Sequence, residues 1–122
     1  MGIIFQPTCK CQVYTPMSLG GGMLGSDFIY LPYYCDECKI IKKGNVLKGK
    51  CNCSVCKNEM TLYGRIVGYF SDDESDRYYN PKKVLFDWTI EMDLEYILED
   101  KKYHCPICKE KELEFIEMGT WD

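Results

Sequence analysis

The sequence CDECK at residues 35–39 recurs as CSVCK at 53–57 and as CPICK at 105–109. A tighter pair, CKC, lies at 9–11. Two cysteines separated by two residues can direct both sulfurs to one ion, and two such turns supply the four ligands of a tetrahedral zinc site. The four pairs therefore predict metal binding, and they place the sulfur in turns.

The cysteine count and the start of the chain favour metal over disulfides. Nine cysteines are an odd number, which a framework made only of disulfides would leave incomplete. The first residues, MGIIFQPTCKC, lack the basic and apolar regions of a secretion signal, so we expect a cytoplasmic protein. Thiols stay reduced in that compartment. No apolar run approaches the roughly 20 residues of a membrane helix, so we expect no membrane span.

The first predicted site joins two of the repeated turns. Cys35 and Cys38 are followed, after 14 residues, by Cys53 and Cys56, slightly short of the usual spacing for paired zinc turns. Here residues 30–70 resemble the zinc-ribbon group, in which two such turns at the ends of β-hairpins hold one zinc ion. The resemblance implies a structural zinc on these four cysteines.

Lysine follows three of the pairs, at Lys39, Lys57 and Lys109, where ribbon turns commonly have glycine. That position requires a left-handed backbone, which lysine adopts at some energetic cost. The ammonium groups could also offset the negative charge of four thiolates around a divalent ion. The alternative interpretation is that these lysines are solvated turn residues.

The second predicted site joins the two ends of the chain. Cys105 and Cys108 have Cys9 and Cys11 as the only other clear pair, so one ion would enclose nearly the whole sequence. Such a closure would restrict the unfolded chain, because the entropy of loop closure grows with loop length. The order of pairs is also similar to that of small bacterial zinc-ribbon-type proteins, a resemblance that implies no activity.

Two residues beside these pairs have alternative roles. Cys51 is either a spare thiol or a ligand in place of Cys53, and another partition would combine Cys9 and Cys11 with Cys51 and Cys53. His104 adjoins the last pair, but four sulfurs already complete each site. We therefore expect His104 to have a solvent-facing or packing role.

The segments around the first two turns predict strands, so we expect a mostly β fold with little helix. FIYLPYY (28–34) and MTLYGRIVGYF (60–70) are rich in strand formers, although Pro32 would confine the first to a sheet edge or to an irregular approach. IIKKGNVLKGK (40–50) has one turn signal at Gly44 and Asn45 and a second at Gly49, which suits a short hairpin.

The second half of the chain also predicts strands. FDWTIEMDLEY (86–96) alternates apolar and polar residues, which is typical of one half-buried strand. A helix over 90–98 is the alternative. ELEFIEMG (112–119) after the last pair is again strand-like.

These segments suggest three parts. Residues 28–70 would form a zinc-ribbon-like β unit. Residues 1–27 and 82–122 would form a second β unit joined by the terminal metal site. The polar stretch SDDESDRYYNP at 71–81 would be an acidic connector between them.

Charge is distributed unevenly between the two halves. Residues 1–70 have eight Lys/Arg and four Asp/Glu, whereas residues 71–122 have seven and fifteen, for a net charge of −4. Each zinc ion held by four thiolates lowers the net charge by two, so two sites would bring it to about −8. This charge argues against general affinity for a phosphate backbone.

The leading functional hypothesis is a non-enzymatic protein with two structural zinc ions that acts as an adaptor for another protein. Four-thiolate sites are closed, whereas a catalytic zinc keeps an open position. Iron fits the same geometry but is less favoured, because the glycines typical of iron turns are missing.

Two other hypotheses belong to different classes. A nucleic-acid-associated ribbon would use the basic region 39–57, with Tyr33 and Tyr34 as stacking residues. Its candidate contacts are Lys39, Lys42, Lys43, Lys48 and Lys50. A thiol redox or metal-handling protein would use CPIC at 105–108, but that motif precedes a strand-like run instead of opening a helix.

Overall fold

The computed structural model describes residues 2–21, 28–68, 84–91 and 94–121. The predicted connector at 71–81 lies outside these ranges. The described residues form β1 (Gly2–Thr8), β2 (Met17–Gly21), β3 (Ile29–Cys35), β4 (Ile40–Asn45), a 3₁₀ turn (Val46–Lys48), β5 (Thr61–Leu62), β6 (Arg65–Gly68), β7 (Val84–Glu91), β8 (Leu94–Glu99) and β9 (Glu114–Trp121). The prediction of a mostly β fold with little helix is confirmed.

Contacts between residues divide the chain into two units. The larger unit combines residues 1–63 with 102–122, and the smaller unit is residues 64–101. The larger unit has one sheet in the order β4-β3-β2-β1-β9, with β5 also paired to β3. The smaller unit has a three-stranded sheet in the order β6-β8-β7.

The units have different boundaries from the parts that the sequence suggested. The larger unit places residues 28–63 together with both ends of the chain. All nine cysteines lie in this unit, and residues 64–101 contain none. A connector role for 71–81 stays a prediction.

The pairing of β1 with β9 positions the chain ends. The two strands are antiparallel from Gly2↔Trp121 to Thr8↔Glu114. Phe5 on β1 and Phe115 on β9 are buried and meet edge to face, with ring centroids 6.5 Å apart. The turn at 9–11 leaves the end of β1 just where the chain enters β9 from the turn at 105–109, so the sheet brings these two turns together.

Of the two placements predicted for the 28–34 segment, the sheet edge is wrong, because β3 lies inside the sheet between β4 and β2. The carbonyl of Pro32 accepts a hydrogen bond from the Tyr63 amide at 2.9 Å, on the side of β3 that faces β2 and β5. A strand residue directs its nitrogen and its carbonyl to the same side. On that side β2 pairs with β3 up to Tyr30 and β5 pairs from Tyr33 onward, so the proline nitrogen falls in the gap.

The predicted hairpin at 40–50 is also wrong, because β4 continues through Gly44 to Asn45. A Cβ on Gly44 would come within 2.6 Å of the Cys51 sulfur, so this glycine allows a close approach. The Asn45 side chain accepts hydrogen bonds from the amides of Leu47 and Ile29, both at 3.1 Å. Gly44 therefore allows close packing, and Asn45 caps the start of the 3₁₀ turn.

The single strand predicted at 86–96 and the helix alternative at 90–98 are both wrong, because the chain forms a hairpin of β7 and β8 there. β7 and β8 pair antiparallel, with Glu91↔Leu94 nearest the reversal and Val84↔Glu99 at the far end. The alternation of apolar and polar residues continues unbroken across the end of β7 and the start of β8. Periodicity alone therefore gave no sign that the chain reverses.

We expect Gly64→Ala to destabilise the smaller unit by about 3 kcal/mol, from left-handed strain plus overpacking. Gly64 has a φ of 82°, and an added Cβ would lie 2.6 Å from the carbonyl oxygen of Ile97. Urea unfolding measures the change, followed through the fluorescence of Trp88 for the smaller unit and of Trp121 for the larger unit, each with the other tryptophan replaced by phenylalanine. Gly49→Ala is the control, because Gly49 has a φ of 85° but open space around it. Equal effects of the two substitutions on their own units would contradict the steric part of the prediction.

Candidate metal centres

The eight paired cysteines meet in two groups of four. Site 1 consists of Cys35, Cys38, Cys53 and Cys56, and site 2 consists of Cys9, Cys11, Cys105 and Cys108. Within each group all four sulfurs lie within 4.8 Å of one another. Sulfur–sulfur distances of 3.6 Å join Cys35 to Cys56, Cys9 to Cys108 and Cys11 to Cys105.

These distances fit a tetrahedral ion. Zn–S bonds of about 2.3 Å place the sulfurs of a regular tetrahedron about 3.8 Å apart, whereas a disulfide bond is only about 2.05 Å long. All nine cysteines are free thiols. Each group therefore has the donor atoms and the spacing to hold one metal ion.

The repeated sequence formula forms a repeated backbone turn. In the turn at 53–57 the Cys53 amide donates to the Asn58 carbonyl at 2.8 Å, and the Lys57 amide donates to the Cys53 carbonyl at 3.0 Å. The turn at 105–109 has the same two bonds, from Cys105 to Glu110 at 2.9 Å and from Lys109 back to Cys105 at 2.8 Å. This shared frame directs both sulfurs of a pair to one side.

The lysines occupy the left-handed position that the sequence predicted for them. Lys39, Lys57 and Lys109 have φ values of 58°, 67° and 65°. The ammonium groups of two of them bind carbonyl oxygens of the turns: Lys57 donates to Ser54 at 3.0 Å, and Lys109 donates to Asp36 at 2.6 Å. These contacts give the lysines a backbone-binding role in addition to any effect on thiolate charge.

Hydrogen bonds favour the thiolate form of one cysteine in each site. Backbone amides of Cys56 and Val55 lower the pKa of Cys53 to about 6, and the Val55 nitrogen lies 3.4 Å from its sulfur. Burial opposes ionisation of Cys105, but the Tyr14 hydroxyl at 3.1 Å and two turn amides lower its pKa to about 6. Burial raises the pKa of Tyr14, so this hydroxyl keeps its proton and donates a hydrogen bond to the Cys105 sulfur.

Other cysteines in the same groups are held in the thiol form. A hydrogen bond with Cys56, with burial, raises the pKa of Cys38 to about 12. Cys11 is an exposed residue, but partial desolvation of its sulfur and a hydrogen bond with Cys105 raise its pKa to about 12. The pKa values of Cys56 and Cys108 are also raised, because burial and neighbouring thiols outweigh one backbone amide each.

We expect metal binding at pH 7 to release at least two protons per ion, because each folded site has two cysteines with raised pKa values and cysteines of an unfolded chain, with a pKa of about 8.5, are also protonated at pH 7. Protons compete with the ion, so affinity falls as the pH falls. Calorimetric titration of the reduced, metal-free protein in two buffers of different ionisation enthalpy counts the released protons. Binding without proton release would contradict thiolate ligation.

Cys51 belongs to neither group. Its sulfur lies 4.0 Å from the thioether sulfur of Met60, and burial raises its pKa. Cys53 stands in site 1 with three other sulfurs, so the structure does not bring together the partition of Cys9 and Cys11 with Cys51 and Cys53. The position of Cys51 is that of a spare thiol.

His104 also lies outside both groups, in a contact between the two sites. Its Nε2 atom is 2.7 Å from a carboxylate oxygen of Asp36, and its ring centroid is 5.3 Å from that of Tyr34. The Lys109 ammonium lies 3.0 Å from the same carboxylate oxygen. Hydrogen bonds from His104 and Lys109 lower the pKa of Asp36.

The five lysines proposed as nucleic-acid contacts are exposed or half-buried, and three of them already have a polar or charged partner. Lys43 lies over the ring of Tyr30 at 4.4 Å and donates to the Ser18 hydroxyl at 2.8 Å. Lys50 lies 3.9 Å from a Glu59 carboxylate oxygen. Lys42 is half-buried and donates to the Asn52 carbonyl at 3.4 Å, and the other four lysines are exposed.

The aromatic residues proposed for base stacking lie largely inside the larger unit. Tyr33 is buried, with 6% of its surface exposed. Tyr34 is half-buried, and its ring packs on Tyr63 with a centroid distance of 4.6 Å. These two rings therefore contribute to packing.

Burial and the element after the motif also argue against the thiol redox hypothesis. Cys105 is fully buried, whereas a reactive thiol needs access to its substrate. The next described element after CPIC is the strand β9. This turn therefore lacks the helix that stabilises the thiolate in dithiol redox motifs.

Sequence reasoning did not find two residues that contact the sites, Tyr14 and Asp36. Tyr14 contacts a sulfur 91 residues away, and Asp36 contacts a ring 68 residues away. An isolated tyrosine and an aspartate inside a turn have no motif that signals such contacts.

No protein-family model, curated protein or solved structure matches this chain. The likeness to zinc ribbons therefore rests on the cysteine spacing and the two groups of sulfurs. Among the described residues there is no helix of the length and apolar character that a membrane crossing requires.

Proposed function

We propose that this chain is a non-enzymatic zinc protein in which two ions stabilise the larger unit. The observation that carries the proposal is the pair of closed four-sulfur groups, each built from two turns far apart in the sequence. Four thiolates fill the coordination shell of a zinc ion, which leaves no position for a substrate or a reactive water. The ions therefore supply architecture.

Zinc is the metal that we assign to both sites. A cytoplasmic protein with reduced thiols offers soft ligands that zinc binds tightly. Iron takes the same four-sulfur geometry, but its turns commonly have glycine where this chain has Lys39, Lys57 and Lys109. The left-handed lysines fit a zinc ribbon with altered turns.

Another protein is the partner class that we propose, with this chain as the adaptor. Several apolar side chains are exposed, including Val55 at 71%, Val13 at 58% and Met118 at 54%. With both zinc ions bound, the net charge of about −8 would repel a phosphate backbone. Protein contact is the use that this combination of apolar and acidic surface favours.

Elemental analysis combined with native mass spectrometry tests the metal assignment. We expect two zinc ions per chain and a colourless protein, because the filled d shell of zinc gives no visible absorption. One ion per chain would leave one group as free thiols. A coloured protein that contains iron would overturn the choice of metal while keeping the sites.

Nucleic-acid binding is the second candidate, and it is tested separately. Fluorescence anisotropy with single-stranded RNA and duplex DNA at low and high salt would detect it. We expect no binding that falls steeply with salt. Tight binding that Lys42→Glu, Lys43→Glu and Lys48→Glu together abolish would establish the second candidate instead of the first.

A further inference from the structure

Asp36 forms a direct contact between the two metal centres. It lies between Cys35 and Cys38 in a turn of site 1. Its carboxylate is 2.7 Å from Nε2 of His104 and 3.0 Å from Nζ of Lys109, the residues that bracket the Cys105–Cys108 turn of site 2. Lys109 also donates to the Asp36 carbonyl at 2.6 Å. Both the side chain and the backbone of one metal-binding turn are thus held by the other.

Packing behind this contact fixes the histidine. The Tyr63 hydroxyl donates to the His104 carbonyl at 2.7 Å, and Tyr63 is buried. Tyr34, one residue before Cys35, packs on both His104 and Tyr63. The turn of Cys35 and Cys38 and the turn of Cys105 and Cys108 are therefore neighbours across a packed aromatic contact. A displacement of one turn would change the contacts of the other.

We propose that Asp36 couples the two sites, so that loading of one ion raises the affinity of the other site. The inference rests on the proposed metal-binding function and concerns its regulation. An ion in site 1 fixes the turn that contains Asp36, and this carboxylate then orders His104 and Lys109 around the turn of site 2. The second ion meets a turn that is already ordered, so it loses less conformational entropy on binding. Linkage makes the effect reciprocal.

Electrostatic repulsion acts in the opposite direction. Each zinc ion with four thiolates carries a net charge of −2, and two such centres repel each other. The Lys109 ammonium and the Asp36 carboxylate form a neutral ion pair between the two centres. Both side chains are about half exposed, so solvent and salt screen the charges there. We therefore expect the ordering effect to exceed the repulsion.

Native mass spectrometry of a zinc titration into the reduced, metal-free protein measures the coupling. Two independent sites leave at least half of the molecules with one ion at half saturation, whatever their two affinities. For two sites of equal affinity, a coupling of about tenfold, within the usual range for linked sites, lowers that fraction to about one quarter. We expect a fraction well below one half.

Asp36→Ala and Asp36→Asn test whether the bridge carries the effect. We expect both to raise the one-ion fraction toward one half, the alanine variant more, while two ions still bind at saturation. The Asp36 side chain is 52% exposed, so its replacement leaves the core intact. Glu37→Ala is the matched control, because Glu37 lies in the same turn but contacts Asn58 of site 1, at 3.2 Å. It should keep the wild-type fraction.

The outcomes separate the two proposals. Failure of the wild-type protein to bind two ions would overturn the proposed function. Two ions with a one-ion fraction of half or more in the wild-type protein that Asp36→Ala leaves unchanged would overturn only the coupling. A low fraction that persists in Asp36→Ala would show that the sites are coupled through the rest of the sheet, and it would overturn the role of Asp36.

Discussion

Removal of metal from the reduced protein is expected to unfold the larger unit. A structural zinc contributes on the order of 10 kcal/mol, and the whole stability of a domain is about 5 to 15 kcal/mol. Without the ions, buried sulfurs such as those of Cys53 and Cys105 would lose their ligand bonds inside the protein. The apolar core that remains in the larger unit would not compensate for the lost free energy of zinc binding.

The two tryptophans report on the two units separately. Trp121 lies on β9 of the larger unit, where its indole nitrogen donates to the Leu19 carbonyl at 2.9 Å. Trp88 lies on β7 of the smaller unit, stacked on Phe86 at a centroid distance of 6.0 Å. The Trp88→Phe variant therefore emits only from Trp121, and the Trp121→Phe variant emits only from Trp88.

Fluorescence and circular dichroism are then followed while a chelator is added under reducing conditions. We expect the Trp121 emission to move to that of an unfolded chain and to recover when zinc is restored. The Trp88 signal gives the comparison, since residues 64–101 contain no cysteine. A Trp121 environment unchanged after complete removal of metal would contradict the structural role of the ions.

Cys53→Ser is expected to remove one ion and to cost at least about 5 kcal/mol of stability, whereas Cys51→Ser should cost less than about 1 kcal/mol. The two thiols are two residues apart, but only Cys53 has three other sulfurs within 4.8 Å. Native mass spectrometry gives the ion count, and thermal unfolding gives the stability. The pair of variants separates a ligand from a nearby spare thiol.

The opposite pattern would show that site 1 uses Cys51. In that case Cys51→Ser would bind one ion and Cys53→Ser would bind two. Cys11→Ser extends the comparison to site 2, where we also expect the loss of a single ion. Retention of two ions in both Cys53→Ser and Cys11→Ser would contradict the assignment of four sulfurs to each ion.

Much of the local structure could be predicted from the sequence. Strand-forming residues indicated the mostly β class, and the lysine that follows three of the four cysteine pairs stands at a left-handed position, which φ values of 58° to 67° confirm. Errors arose where a local signal had two structural uses. Gly44 suggested a turn but permits close packing against Cys51, and Pro32 suggested an edge but falls in a gap between two partner strands.

The sequence by itself determined the turns, because a cysteine pair spaced by two residues and the hydrogen bonds that close it lie within six residues of chain. The spacing of the pairs also predicted which turns share an ion, but only the tertiary structure excluded the other partition and decided which turns touch. The β1–β9 pairing joins Cys9 to Cys108 across 99 residues, and packing around Tyr63 sets Asp36 against His104. Such contacts depend on how the whole sheet buries its apolar face, and no short stretch of sequence contains that information.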